Sequence, residues 1–126
     1  MPENKSTIVR EFSEKLNKTL NYEEMKNFTI EEYKKLVLEL FDYLNISREK
    51  GIKMEDVIPI IDKIYYKQSD FFDDVLFERR FTAITEDFVG FGSDPMFWNV
   101  DYLTYIQKWD KGFESRWYID ENYTGL

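Results

Sequence analysis

Apolar residues recur at helical spacing along most of this chain, and charged residues occupy many of the positions between them. From Thr7 to Leu20 an apolar residue returns at every fourth position, which is typical of an amphipathic helix lying on a core. A longer stripe, with three- and four-residue spacing, starts at Ile30 and stops before Gly51. The pattern therefore predicts two helices in this first part of the chain.

The second of these helices has a specific start signal. Thr29 and Glu32 form a T-x-x-E capping box, in which each side chain accepts a hydrogen bond from the backbone amide of the other residue. Phe28 and Tyr33 stand at the positions of a hydrophobic staple around that turn. Both features predict that the helix begins directly after Thr29.

A third helix is predicted after the turn, with an apolar face that includes Val57, Ile61 and Tyr65. Proline lacks the amide hydrogen that the interior of a helix uses, so we expect Pro59 to lie in the first turn. That requirement places the start of the helix at residue 54, 55 or 56.

A fourth helix is predicted to begin at Ser69 or Asp70, because either side chain can cap a helix. It should end at Gly90 and Gly92. Large apolar residues at helical spacing form its inward face. They are Phe77, Phe81, Ile84 and Phe88.

The remainder of the chain is ambiguous. Residues 90–95 form a turn, and Asp94 followed by Pro95 is the pattern of a capping residue at the start of a fifth helix. The apolar positions of residues 96–109 fit a helix, yet they also alternate as in a strand. Beyond Gly112 the segment is too short and mixed to assign, and a short terminal hairpin is left as an alternative. The expected fold is an all-α, single-domain bundle of four or five helices that spans residues 1–126.

Composition agrees with one folded domain. The chain has 126 residues, of which 43% are hydrophobic and 18% aromatic, so it can bury a core and is not expected to be disordered. Its start has no apolar signal-peptide core, and no stretch approaches the roughly 18 apolar residues of a membrane span. We expect a cytoplasmic protein that is not bound to a membrane, with export by a route without a cleaved signal left open.

The ionisable residues exclude several classes of function. The chain has no His and no Cys, which excludes Cys or His zinc sites, a Cys nucleophile and a Ser-His-Asp triad. Its 17 basic and 25 acidic residues give a net charge of -8, the wrong sign for holding a phosphate backbone. We therefore expect no enzyme activity, no cofactor or metal, and no direct contact with nucleic acid.

The acidity is concentrated around the fourth predicted helix. Asp70, Asp74 and Glu78 are four residues apart, so on one helix they would form a single stripe, with Asp73 beside it. In one interpretation, the three aspartates lie in the first turn, where the helix dipole stabilises anions. In the other, the stripe binds a cationic partner and steers its association.

Aromatic residues flank this stripe. Tyr65 and Tyr66 precede it, and Trp98 follows it in the sequence. Tyrosine and tryptophan beside carboxylates are typical of a protein interface, in which the rings supply binding energy and the charges supply orientation. The same rings could equally belong to the core, because a small domain must bury most of its aromatic residues.

The tyrosine pair beside Asp70, Asp73, Asp74 and Glu78 resembles the aromatic pair and acidic helix of the colicin-type immunity proteins, which neutralise bacterial toxins. The resemblance implies a stoichiometric inhibitor that covers a basic, nuclease-type toxin domain. Two alternatives are open. One is a phage-type acidic inhibitor that mimics nucleic acid on a host protein, and the other is a helical module that assembles into a homo-oligomer.

Overall fold

The computed structural model describes residues 4–89 and 96–115, with the side chains of 4–89 and 97–111. The predicted all-α bundle is confirmed, since this part of the chain contains six helices and no strand. Two 3₁₀ turns, Ser69–Phe71 and Met96–Asn99, lie before the last two helices. The helices are α1 (Lys5–Thr19), α2 (Tyr22–Met25), α3 (Ile30–Glu49), α4 (Met54–Gln68), α5 (Val75–Val89) and α6 (Tyr102–Ser115).

The predicted capping box at the start of α3 is confirmed. The Thr29 hydroxyl accepts a hydrogen bond from the Glu32 amide at 3.2 Å, and the Glu32 carboxylate accepts one from the Thr29 amide at 2.9 Å. At the other end of α3, Gly51 has a φ of +108°, a conformation that disfavours every residue with a Cβ. This turn lets the Ile52 amide donate to the Ser47 carbonyl at 3.0 Å and directs the chain into α4.

Helix α4 begins at Met54, within the predicted range, but Pro59 does not lie in its first turn. Pro59 is the sixth residue of the helix, so the expectation that proline marks the first turn is wrong. Proline at this position removes one backbone hydrogen bond and brings its ring against the carbonyl group one turn earlier. Burial of Val57, Ile61 and Ile64 on the inner face of α4 keeps the helix continuous on both sides of it.

The core is one cluster to which all six helices contribute. Helix α4 packs along α5, α1 packs on α3 and α4, and α6 packs on α3. Phe41 on α3 is at the centre of the aromatic contacts, because its ring lies 4.9 Å from that of Phe88 and 5.1 Å from that of Tyr105. The predicted inward residues of the fourth helix are all buried: Phe77, Phe81, Ile84 and Phe88.

A polar network joins α5 to α6 inside the bundle. The Tyr105 hydroxyl donates to the Asp87 carboxylate at 2.7 Å, and the Lys108 ammonium lies 3.1 Å from both oxygens of the same group. The Trp109 indole N–H donates in turn to the Tyr105 hydroxyl at 2.6 Å. Asp87 is only 8% exposed, so this carboxylate depends on Tyr105 and Lys108 for the interactions that water would otherwise provide.

The last described helix begins later than predicted. It starts at Tyr102 and not at Pro95, because Asp101 caps it: the Asp101 carboxylate accepts hydrogen bonds from the hydroxyl and the amide of Thr104. These hydrogen bonds hold the pKa of Asp101 below its ordinary value, and the one from the Thr104 hydroxyl has the larger effect. Tyr105 and Trp109, four residues apart, are both buried, so the ambiguous pattern is that of a helix. The predicted turn over residues 90–95 and the open question of a terminal hairpin lie outside the described residues.

Candidate partner-binding surface

The acidic residues between α4 and α5 do not form the predicted helical stripe. The prediction of a helix from Ser69 or Asp70 is wrong, because the chain forms a 3₁₀ turn at Ser69–Phe71 and α5 begins only at Val75. The two helices pack along each other and are joined by residues 69–74, so the chain must reverse its direction in this segment. A single continuous helix is incompatible with that reversal.

Two of the predicted contact carboxylates serve the fold. Asp74 caps α5, since its carboxylate accepts a hydrogen bond from the Phe77 amide at 3.2 Å, and it also accepts one from the Tyr22 hydroxyl at 3.2 Å. Glu78 is half-buried and accepts a hydrogen bond from the Thr82 hydroxyl at 3.2 Å. The first interpretation of the acidic cluster, in which acidic residues stabilise a helix start, therefore describes Asp74 well.

The two neighbouring tyrosines have different environments. The Tyr65 ring lies 5.2 Å from the ring of Phe72 and 5.9 Å from that of Phe81, at the edge of the core. Tyr66 is 85% exposed, because successive residues of a helix point about 100° apart. The two tyrosines thus do not point the same way, and Tyr66 is the more exposed of the two.

Trp98 is remote from the acidic segment. Its indole N–H donates to the Phe88 carbonyl at 2.8 Å, near the end of α5, whereas Asp74 caps the beginning of the same helix. With a rise of 1.5 Å per residue, the 14 steps along the chain from Asp74 to Phe88 place these two points about 20 Å apart. Trp98 therefore packs at the opposite end of α5 and does not complete a binding site with the carboxylates.

Four exposed residues lie on the second half of α4 and on the segment that joins it to α5, and we refer to Asp62, Tyr66, Asp70 and Asp73 as the Tyr66 surface. Asp62 is one helical turn before Tyr66, and Asp70 lies in the 3₁₀ turn that directly continues α4. Asp62 was not predicted, although its spacing of four residues from Tyr66 could have indicated it. None of the ion pairs within the described part of the chain involves the three carboxylates of this surface.

Tyr22 on α2 holds the acidic segment in place, a role that no sequence pattern indicated. Its ring stacks on Phe71 at 4.6 Å, its amide donates to the Gln68 side chain at 2.9 Å, and its hydroxyl donates to Asp74. Desolvation, followed by the hydrogen bond to Asp74, raises the pKa of Tyr22 above its ordinary value. These contacts before, within and after the 3₁₀ turn fix the backbone that carries Asp70 and Asp73. A fixed backbone loses less conformational entropy on binding.

Other kinds of site find less support. Within the described residues, no three acidic side chains are grouped closely enough to hold a metal ion. Over the same residues, no helix combines the length and the apolar character that crossing a membrane requires.

Comparison with known proteins assigns neither a family nor a function to this chain. No protein-family model matches the chain, and neither a curated protein nor a solved structure shows significant similarity to it. The surface itself therefore carries the argument about function.

Proposed function

We propose that this chain is a stoichiometric protein inhibitor, an immunity protein that binds and neutralises a basic, nuclease-type bacterial toxin. The observation that carries the proposal is the exposure of Tyr66, at 85%, beside exposed carboxylates that take part in no ion pair of the described chain. A tyrosine ring buries a large apolar area on binding at a small cost in conformational entropy, which makes it a frequent anchor of interfaces.

Charge supports a basic partner. The net charge of -8 attracts a cationic protein over a distance, and Asp62, Asp70 and Asp73 supply acceptors for lysine and arginine at the point of contact. A nuclease must present basic residues to phosphate groups, so an acidic surface can occupy its substrate site. In this proposal Tyr66 provides the binding energy, and the carboxylates provide the orientation and the fast association.

The mimicry of nucleic acid by regular rows of carboxylates is less well supported. Such a mimic needs negative charges that repeat along the surface as phosphates do. Lys63 and Lys67 are exposed on the same helix as Asp62 and Tyr66, and they interrupt the acidic surface. The pattern favours a partner with mixed charge over a uniform phosphate-binding groove.

Self-assembly is the second candidate, and a different surface favours it. Leu103 is 70% exposed on α6, and Ile46 and Leu38 are 43% and 40% exposed on α3, the helix on which α6 packs. Exposed apolar residues on adjacent elements are typical of contact surfaces. A dimer held by these apolar side chains would be insensitive to salt, in contrast to a complex led by charge.

The test of the proposed function is affinity capture from the source cells. The tagged chain should recover one basic protein in equimolar amount at low salt and less of it at high salt. The variant Asp70→Lys/Asp73→Lys should lose this protein, because it places two cations against a basic surface. The matched control Glu11→Lys/Glu49→Lys, which changes the net charge equally at two other exposed positions, should retain most of it.

Inhibition is then measured on the captured protein. Separated from the chain, it should degrade nucleic acid, and one equivalent of the wild-type chain should abolish that activity. Recovery of the same protein by the wild type and by both variants would contradict a role of Asp70 and Asp73. Recovery of only further copies of the chain would favour self-assembly.

A further inference from the structure

Two adjoining grooves lie between α4 and the chain from α1 to α2, and we refer to them together as the trough between α1 and α4. It consists of one groove of about 200 Å³ and one of about 440 Å³, which share Asn17 and Lys67 in their walls. The larger groove reaches Asp70 and Phe71 in the 3₁₀ turn, so the trough ends at the proposed binding surface. Its size suits a few residues of extended chain, since drug-sized ligands occupy about 300 to 1,000 Å³.

The walls of the trough offer both apolar and polar contacts. Pro59 and Ile60 contribute apolar surface to the smaller groove, where Ser13 and Asn17 contribute a hydroxyl and an amide from α1. Gln68 adds a second amide in the larger groove. The Asn17 amide donates to the Ser13 carbonyl and hydroxyl, and the Gln68 carbonyl oxygen accepts from the Tyr22 amide. The Ser13 hydroxyl hydrogen, the Asn17 carbonyl oxygen and the Gln68 amide hydrogens can still pair with the N–H and C=O groups of an extended peptide.

The charge of the smaller groove is positive. Lys63 and Lys67 lie one helical turn apart in its wall, where two like charges repel each other. No carboxylate within the described residues lies within 4 Å of either ammonium group, although the chain has 25 acidic residues. An anionic group in the smaller groove would therefore remove a repulsion that the isolated protein retains.

The far end of the trough has a different charge. Asp70 and Glu23 lie in the wall of the larger groove, and the Glu23 carboxylate is 2.8 Å from the Lys26 ammonium. A bound segment would thus place its acidic residues beside Lys63 and Lys67 and a neutral or basic residue near Asp70. This order of charges gives the trough a direction.

We propose that the trough between α1 and α4 binds a short acidic segment of the protein partner. The identity of the partner rests on the proposed function, whereas the preference for an acidic peptide rests on the trough alone. The partner then carries acidic residues next to the basic surface that meets Asp70 and Asp73. A uniformly basic protein would lack such an acidic segment. Lys63 and Lys67 would therefore favour those basic partners that carry one.

The test uses the isotope-labelled full chain and a capped tetraglutamate peptide as the probe, followed by NMR at low salt. The peptide should shift the amide resonances of Ser13, Asn17, Lys63 and Lys67, although the protein as a whole is negatively charged. The shifts should disappear in Lys63→Glu/Lys67→Glu and persist in Lys18→Glu/Lys35→Glu. This control makes the same change of charge at exposed lysines that do not line the trough.

Three results would overturn the inference: no shifts, shifts that survive in Lys63→Glu/Lys67→Glu, or equal shifts with inorganic phosphate, which would show that the lysines bind any anion. The tests of the two proposals fail independently. Capture of a basic protein without localised peptide shifts removes the trough and leaves the Tyr66 surface. Localised shifts without capture of a basic protein leave an acidic-peptide site on a protein of another function.

Discussion

Phe41→Ala is expected to lower the free energy of unfolding by about 3 to 5 kcal/mol, the usual cost of deleting a fully buried phenylalanine ring. Phe41 is 0% exposed, and its ring contacts those of Phe88, Phe97, Tyr105 and Trp109. The cavity would open where α3, α5 and α6 meet, so all three helices would lose packing. Chemical denaturation measures the change in the free energy of unfolding, with one common slope against denaturant concentration for the wild type and the variant.

The control for this change is Leu38→Ala on the same helix, at a side chain that is 40% exposed. It should cost about 1 kcal/mol or less, because a side chain at the exposed edge of the bundle leaves no enclosed cavity when it is shortened. Phe81→Ala, at another fully buried ring, should behave like Phe41→Ala. Losses below about 1 kcal/mol at both Phe41 and Phe81 would contradict the assigned inner faces of α3 and α5.

Asp87→Ala should cost about 3 kcal/mol, an unusually large loss for removal of an acidic residue. It leaves the Tyr105 hydroxyl without its acceptor and the Lys108 ammonium, 3.1 Å away in the folded protein, without its counter-ion. Both groups are partly or fully buried, so water can replace the carboxylate only in part. Thermal or urea unfolding detects the loss, and α6 should separate from the bundle first.

Asp62→Ala is the matched control, since it removes the same charge from an exposed position on α4. Its effect on the free energy of unfolding should stay within about 0.5 kcal/mol. If Asp87→Ala were equally mild, the network that joins α5 to α6 would not contribute to stability in the way its geometry implies. Hydrogen exchange of the α6 amides would show whether that helix had loosened.

The parts of the fold that local sequence determines could be predicted. Thr29 and Glu32 satisfy each other within one turn, so the start of α3 needs no information from distant residues. The inner face of α5 follows from its 3.6-residue period. On α4 the helical period likewise placed Tyr65 on the apolar face, which agrees with its contacts to Phe72 and Phe81.

The segment between α4 and α5 could not be predicted, because its conformation depends on distant contacts. Asp70, Asp74 and Glu78 have the spacing of a helix, yet Phe71 stacks on Tyr22, some fifty residues earlier in the chain. Packing of α4 along α5 then requires a reversal at this point. The local pattern of charges indicates neither the stacking of Phe71 on Tyr22 nor the packing of α4 along α5.

The burial of Asp87 was not predicted, for a different reason. A pair of adjacent acidic residues, Glu86 and Asp87, gave no chemical motif, since neighbours on a helix point apart. Asp87 nevertheless lies three residues after Ile84, on the side of α5 that faces the core. A charged residue at an inward position indicates a buried partner, and that partner is supplied by α6.

The most direct test of the Tyr66 surface is photo-crosslinking in the source cells, with p-benzoyl-phenylalanine placed at position 66 or, as the control, at position 103. Both positions are highly exposed, at 85% and 70%, but they lie on α4 and α6. We predict a single adduct from position 66, with one basic protein bound to one copy of the chain, and no such adduct from position 103. Adducts from position 66 that contain only further copies of the chain, or the same adduct from both positions, would contradict the account.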